Sequence, residues 1–247
     1  MILVGAQAIY LHTGAAETAL AEFMTDGDLV VDSRSLGGEP LIEAAMESGG
    51  FTHDPLNRNP GVWISREGVQ VDLMVPASIA GDGRRAVDAP PHDRRAMRKS
   101  AGLEGALISN EQFGVAAFDP SDVRHFRILV AGPGALLVAK LFKLHERISE
   151  RRSVENKDAH DIYRLLVAVD TEVLAVELRR LLGDPLSAQV AANAIEYLAE
   201  LFSAGTDADG SVMAGAAEAG VGDPSFVAQS SSALAADLSA LLATAAE

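Results

Sequence analysis

Three aspartates have the types and spacing that could bind a metal ion. Asp26 and Asp28 stand two residues apart at the start of an apolar run, and Asp72 lies inside a second run at 69–75. Both runs are typical of strands, and residues two apart on a strand point to the same face. If the strands are neighbours, the carboxylates converge, and cations must offset their repulsion. Such oxygen ligands suit Mg²⁺, which also binds substrate phosphates.

A glycine turn precedes these aspartates in the chain. Residues 2–4 predict a short buried strand, Gly5 and Ala6 a tight turn, and residues 7–12 a helix. Backbone N–H groups at a helix start bind phosphates, so the turn and the carboxylates would act on the same ligand. An Asp-x-Asp pair alone is a weak signal, because in an acidic chain it also arises as ordinary turn capping.

The second half of the chain carries a stripe of cations on a predicted helix. The stripe consists of four residues at spacings of three and four: Lys140, Lys143, Arg147 and Arg151. This spacing places them on one side of the helix. The other side is apolar. Such a stripe would bind a triphosphate. We expect Lys140→Ala to weaken the reaction with that triphosphate, with little loss of fold.

Two further aspartates lie on the following predicted helix, at 156–168. Asp158 and Asp161 share their stripe with Ile162 and Leu165, so they should face the protein interior. There they would orient Lys140 or accept a proton from an attacking hydroxyl. An interhelical salt bridge to a lysine is the structural alternative.

These residues lie on elements that change character near residue 133. The first part predicts strands, one hairpin and short helices, with an irregular excursion at 80–99 that ends in a helix. The expected strands are 2–4, 28–32, 62–65, 69–75 and 126–130, with a helix at 40–48. The second part predicts helices at 135–149, 156–168, 171–182, 185–202 and 224–243, with a small-residue connector at 205–222. We therefore expect an α/β fold, with a core at 1–132 and an all-helical part at 133–247.

Composition narrows the class of protein. The chain has 48% hydrophobic residues and no cysteine, which fits a globular protein in a reducing compartment. The net charge of −15 argues against a nucleic-acid partner, but no Lys or Arg follows Arg180, and the earlier residues include a cation-rich stretch at 84–99. The opening has no basic region, and the longest apolar stretch, near Leu136, is broken by Gly132, Pro133 and Lys140. We therefore expect a cytoplasmic protein without a signal peptide or a membrane span.

The order of these motifs resembles the nucleotidyltransferase fold of the polymerase-beta type, with its glycine turn, Asp-x-Asp pair and later strand carboxylate. Residues 136–147 (LLVAKLFKLHER) and 156–166 (NKDAHDIYRLL) make the chain similar to the AbiEii/MenT-type nucleotidyltransferases, a family that includes toxins of bacterial toxin–antitoxin systems. There a helix lysine and a Lys-Asp-x-x-Asp helix complete the site. The resemblance covers residues 2 to about 166.

The resemblance implies a polymerase-beta-like core with a small mixed sheet and a reaction that moves a nucleoside monophosphate from an NTP to an acceptor hydroxyl. Asp26, Asp28 and Asp72 would bind two Mg²⁺ ions about 3.5–4 Å apart, and Asp72 would help deprotonate the acceptor. Lys140, Lys143 and Arg147 would bind the nucleotide with Gly5 and Ala6, and Asp158 and Asp161 would complete the catalytic set. The resemblance implies the 3′ end of tRNA as one acceptor and a cognate antitoxin as a protein partner.

The sequence departs from the family pattern in two ways. Ala6 stands where the family has Gly or Ser, which removes any hydroxyl contact to a phosphate, and the interval from Gly5 to Asp26 is long. Two alternatives stay open at this point. One is a nucleotidyltransferase that acts on a small molecule or a protein, and the other is a non-catalytic nucleotide- or protein-binding scaffold of the same fold.

Overall fold

The computed structural model describes residues 1–14, 18, 26–54, 59–117, 119, 121–150 and 156–244. Within these residues the chain forms an α/β fold around one mixed, open sheet of eight strands. The strands are β1 (Ile2–Val4), β2 (Asp26–Val30), β3 (Phe51–His53), β4 (Val62–Ser65), β5 (Gln70–Pro76), β6 (Arg98–Ser100), β7 (Asn110–Ala116) and β8 (His125–Ala131). Their order is β3-β4-β5-β2-β1-β8-β7, and β6 pairs with β5 beside this path.

Nine α-helices surround and follow the sheet within the described ranges. They are α1 (Gly5–Thr13), α2 (Ile42–Ser48), α3 (Glu104–Ile108), α4 (Pro133–Ser149), α5 (Asn156–Ala168), α6 (Thr171–Leu182), α7 (Ala188–Leu198), α8 (Asp209–Ala217) and α9 (Pro224–Ala243). A π-helical turn, Ala199–Ser203, continues α7.

Alternation along β5 separates the two faces of the sheet. Leu73 and Val75 pack into an apolar cluster with Trp63 and Ile42 on one face, and Met74 joins the cluster on the other face. The predicted hairpin is confirmed, because β4 and β5 pair antiparallel. Asp72 therefore points away from Leu73, toward the face that α4 covers, as the alternation predicts.

One large apolar cluster joins the sheet to the helices. It contains Val4 and Val30 from the strands, Leu137 from α4, and Leu238 from α9. The boundary expected at 132–133 coincides with the junction of β8 and α4, and side chains from both sides of it pack into this shared core. Packing against a common core fixes how α4 and α5 sit over the sheet.

Three expectations about local structure are wrong. The stretch at 80–99 ends in the short strand β6, which pairs parallel to β5, and not in a helix. The expected connector at 205–222 contains α8, in which Gly210 and Gly215 lie against Phe202 and Pro224. Close packing at these two glycines outweighs their low helix propensity. The predicted helix at 185–202 begins later, at Ala188, and α3, β3 and β7 were not expected.

Helix α9 is the one described element with the length and apolar composition of a membrane-spanning helix. Here it packs against α6 and α8, and Val227, Ala235 and Leu238 are buried in the protein core. A core helix of a globular protein meets the same criteria of length and composition, so this helix alone does not indicate a membrane span. The cytoplasmic location stays a prediction.

Candidate functional site

Two of the three predicted aspartates are direct neighbours across the sheet. Strands β2 and β5 are parallel, and their register pairs Asp28 with Asp72 and Asp26 with Gln70. Paired residues on adjacent strands point to the same face, so Asp26, Asp28, Gln70 and Asp72 form a polar patch. Asp26 is exposed at the rim, whereas Asp28 is partly buried. The structure thus brings the three carboxylates to one end of the β2–β5 pair.

The glycine turn lies against Asp28. Strand β1 pairs with β2 on its other side, with Val4 opposite Asp28, and α1 begins at the next residue. Gly5 has a φ of +73°, and a Cβ atom there would overlap the Asp28 carboxylate. Glycine is required at this turn both for its backbone conformation and for the space that the carboxylate occupies.

The electrostatic environment of Asp28 disfavours its ionised form. Burial raises the pKa of this carboxyl, the neighbouring Asp72 raises it further, and Lys143, Arg98 and Lys140 lower it by smaller amounts. The nearby cations therefore do not fully compensate the buried negative charge. A bound cation would stabilise the ionised form of such a carboxyl. Perturbed pKa values of this kind are typical of ligand-binding sites.

Both oxygens of Asp72 accept hydrogen bonds. Gln70 Nε2 donates to Asp72 Oδ1 at 3.0 Å, and Arg98 Nη2 donates to Oδ2 at 3.1 Å. Arg98 comes from β6, where the residue paired with it on β5 is Met74. From the sequence, Arg98 is recognisable only as one of several cations at 84–99, because a three-residue strand has no recognisable period.

The cations of α4 converge on one buried carboxylate. Asp158 is fully buried and accepts hydrogen bonds from Lys140 Nζ at 2.9 Å and Arg147 Nη1 at 2.5 Å, with Lys143 Nζ at 3.0 Å. Lys140 also donates to Asp161 Oδ2 at 2.5 Å. The predicted pairing of Lys140 with these aspartates is confirmed, and it is the contact expected both for an orienting role and for an interhelical salt bridge.

Protonation states in this group are set by mutual contact. Burial raises the pKa of Asp158, but Lys140, Lys143 and Arg147 outweigh it and lower the value to about 2. Burial lowers the pKa of Lys140, and Asp161 and Asp158 more than offset this, so it lies above its usual range. Burial and then Lys140 lower the pKa of Lys143. Because Lys140 is buried and paired with two aspartates, we now expect its replacement to reduce stability as well.

A cavity of about 410 Å³ lies between the polar patch of the sheet and α4. Its walls bring together the predicted residues Gly5, Asp26, Asp28, Asp72, Lys140, Lys143 and Arg147, with Arg98, Ser100, Leu103, Glu146 and Lys157 among the others. Ala6, Asp158 and Asp161 do not line it, and Arg151 lies outside the described residues. The arrangement places Asp28 and Asp72 on the sheet wall of one polar space and Lys140, Lys143 and Arg147 on its α4 wall.

A second cavity, of about 590 Å³, adjoins the first. Both are lined by Asp72, Arg98, Ser100, Ala101, Glu146 and Arg147. The second adds Arg84, Arg85 and Lys99 from the 80–99 excursion, together with Glu150. Arg94 and Arg95 line neither cavity, and no described residue after Lys157 does so. The carboxylates that follow Arg180 therefore lie away from both spaces.

The donor set fits Mg²⁺ as it is usually bound. In the described part of the chain, no three His, Asp or Glu side chains are grouped as a complete metal cage. Mg²⁺ does not require one, because it is commonly held by one or two carboxylates, with waters and substrate phosphates as the other ligands. Asp28 and Asp72, as paired neighbours at a cavity wall, supply two such carboxylates, whereas Asp26 lies exposed at the rim and does not complete a group of three with them.

None of the protein-family models, curated proteins or solved structures compared with this chain matches it significantly.

Proposed function

We propose that the chain is a Mg²⁺-dependent nucleotidyltransferase that transfers a nucleoside monophosphate from an NTP to an acceptor hydroxyl. One observation carries the proposal: the register-paired Asp28 and Asp72 face Lys140, Lys143 and Arg147 across a single polar cavity. A nucleoside triphosphate presents phosphates that would lie between a metal held by carboxylates and a row of cations. The resemblance to the AbiEii/MenT-type family rests on these same residues.

Each group of residues has a role in this proposal. Lys140 and Lys143 would bind and neutralise the triphosphate and the departing pyrophosphate from α4. Asp72 would accept the proton of the attacking hydroxyl, and α1 would direct backbone N–H groups toward the phosphates from Gly5. Asp158 would keep the α4 cations in place. Mg²⁺ bound to Asp26, Asp28 and Asp72 would supply Lewis-acid stabilisation of the charge that develops on the transferred phosphate.

The second cavity supports an acceptor that carries phosphate groups. It adjoins the first at Asp72 and gathers Arg84, Arg85 and Lys99, which contact anions readily. An RNA 3′ end, such as that of tRNA, would satisfy this charge pattern. A role as a toxin with a cognate antitoxin is the further part of this proposal. The acidic surface after Arg180 is available for such a protein partner, because it lies outside both cavities.

Transfer from a labelled NTP tests the proposed activity. Purified protein is incubated with Mg²⁺, each α-labelled NTP, and total tRNA, and label in the acceptor is counted. We expect Asp28→Asn to reduce transfer by roughly two or more orders of magnitude, the usual loss for a preorganised charge contact. Asp237→Asn, an exposed substitution on α9, is the matched control. A folded protein that binds Mg²⁺ and transfers no nucleotide would favour the non-catalytic scaffold.

A second pair of variants tests the acceptor. Charge reversal at Arg84 and Arg85 should weaken RNA binding and leave the affinity for NTP unchanged. Charge reversal at Arg94 and Arg95 should have little effect on RNA binding. Binding should also weaken steeply with added salt, because phosphate contacts release counterions. Equal effects of the two pairs would show that RNA does not bind through the second cavity. Salt-insensitive binding would exclude a polynucleotide and leave a small-molecule or protein acceptor.

A further inference from the structure

Arg98 occupies the place at Asp72 where a cation would bind. Its Nη2 is 3.1 Å from Asp72 Oδ2, and Gln70 takes the other oxygen, so neither carboxylate oxygen is without a donor. Arg98 is also among the residues that line both cavities. The Arg98–Asp72 pair thus stands at the junction of the proposed nucleotide and acceptor spaces.

We propose that Arg98 is a positioning residue that acts as an internal counter-cation: it neutralises Asp72 in the resting protein, and a divalent cation must displace it. This inference rests on the proposed function, because it concerns the same metal-binding carboxylates. It adds a competition that the proposed activity does not require.

Charge explains why such a residue is needed. Asp28 and Asp72 are register partners on adjacent strands, and their mutual repulsion disfavours two ionised carboxylates in a partly buried site. The α4 cations are held mainly by Asp158, on the far wall of the cavity. Arg98 is the cation that contacts Asp72 directly among the described residues, so it offsets the repulsion when no metal is present.

The position of Arg98 allows it to leave. Strand β6 has only three residues and pairs with β5 at the end of a long irregular segment, and the Arg98 side chain is 31% exposed. A half-open ion pair of this kind is weak, so its loss costs little. A displaced guanidinium would remain in the second cavity, which it already lines beside Arg84 and Arg85. Metal binding would thereby add positive charge to the proposed acceptor space.

Binding of Mn²⁺ alone tests the competition without any turnover. Free Mn²⁺ is measured by its electron paramagnetic resonance signal during titration of the full chain and of Arg98→Met. We expect the variant to bind Mn²⁺ about two- to fivefold more tightly, the fold-change that corresponds to the loss of one partly exposed ion pair. Arg94→Met is the matched control, since Arg94 pairs with Asp88 at 3.5 Å in the same segment and lines neither cavity.

A second variant keeps the test decisive if Arg98→Met does not fold. Arg98→Lys retains a positive charge on a shorter side chain that would not reach Asp72 as Arg98 Nη2 does, so it should also bind Mn²⁺ more tightly than the native chain. Unchanged or weaker binding in the folded variants, with binding still abolished by Asp28→Asn, would overturn the role of Arg98 and leave the proposed function standing. Absence of Mn²⁺ binding in every form would overturn both.

Discussion

Replacement of Asp158 by Asn removes the charge at the centre of the α4–α5 contact and keeps the side-chain shape. In the native chain this fully buried carboxylate contacts Lys140, Lys143 and Arg147. A pKa lowered from 3.8 to about 2 corresponds to roughly 2 kcal/mol of favourable interaction with the ionised form. Removing one partner of a buried pair costs about 3–5 kcal/mol, because the remaining charges are left uncompensated. We therefore expect Asp158→Asn to lower the free energy of unfolding by about 3 kcal/mol at neutral pH.

The pH dependence gives this prediction a second, independent readout. Because the pKa of Asp158 is lower in the folded chain than its ordinary value, its contribution is complete above about pH 4. The contribution is lost as the pH falls from about 4 through about 2, and only below that lower value is the carboxylate protonated in both states. The stability difference between the native chain and Asp158→Asn should therefore shrink over that interval.

Urea denaturation, followed by the fluorescence of the single, buried Trp63 and by circular dichroism, measures the loss. Coincident transitions by the two probes would justify a two-state treatment. Asp161→Asn should cost less, because Asp161 contacts Lys140 alone of the three cations. Asp237→Asn controls for the loss of one negative charge at the surface. A loss for Asp158→Asn no larger than that of the control would refute the electrostatic reasoning.

Three other substitutions test separate parts of the structure. Asp28→Asn should raise the melting temperature at pH 7, because burial and Asp72 raise the pKa of this carboxyl and its ionised form destabilises the fold. The gain in melting temperature should vanish as the pH falls through 3.8, the ordinary pKa of the carboxyl. An unchanged melting temperature at pH 7 would contradict this reasoning. Gly5→Ala should displace Asp28 and reduce both stability and Mn²⁺ affinity, since a Cβ at a φ of +73° overlaps the carboxylate. Native-like Mn²⁺ titrations of this variant would exclude a close contact between residue 5 and the Asp28 carboxylate. Glu177→Ala should lower the free energy of unfolding, measured in urea, by about 1 kcal/mol, because Glu177 Oε2 accepts a hydrogen bond from the Gly134 N–H in the first turn of α4. An unchanged urea midpoint would show that water replaces the carboxylate as the acceptor.

Local pattern was enough to predict most elements of the fold. The bounds predicted for α5, α6 and α9 are those of the structure, because each has a clear apolar stripe or a Pro or Asp at its start. The alternation of β5 correctly placed Asp72 and Leu73 on opposite faces. These features depend on residues a few positions apart, and such short-range patterns are written in the sequence itself.

Tertiary structure alone decided how these elements meet. Parallel pairing of β2 with β5 makes Asp28 and Asp72 register partners, and nothing within either strand specifies that register. Helix α8 forms although Gly210 and Gly215 disfavour a helix, because both pack closely against neighbouring segments. The contact between Arg98 and Asp72 joins residues 26 positions apart through a three-residue strand. Long-range pairing of this kind is set by the packing of the whole core, so the sequence predicted the chemical groups of the candidate site, whereas the fold determined which of them are in contact.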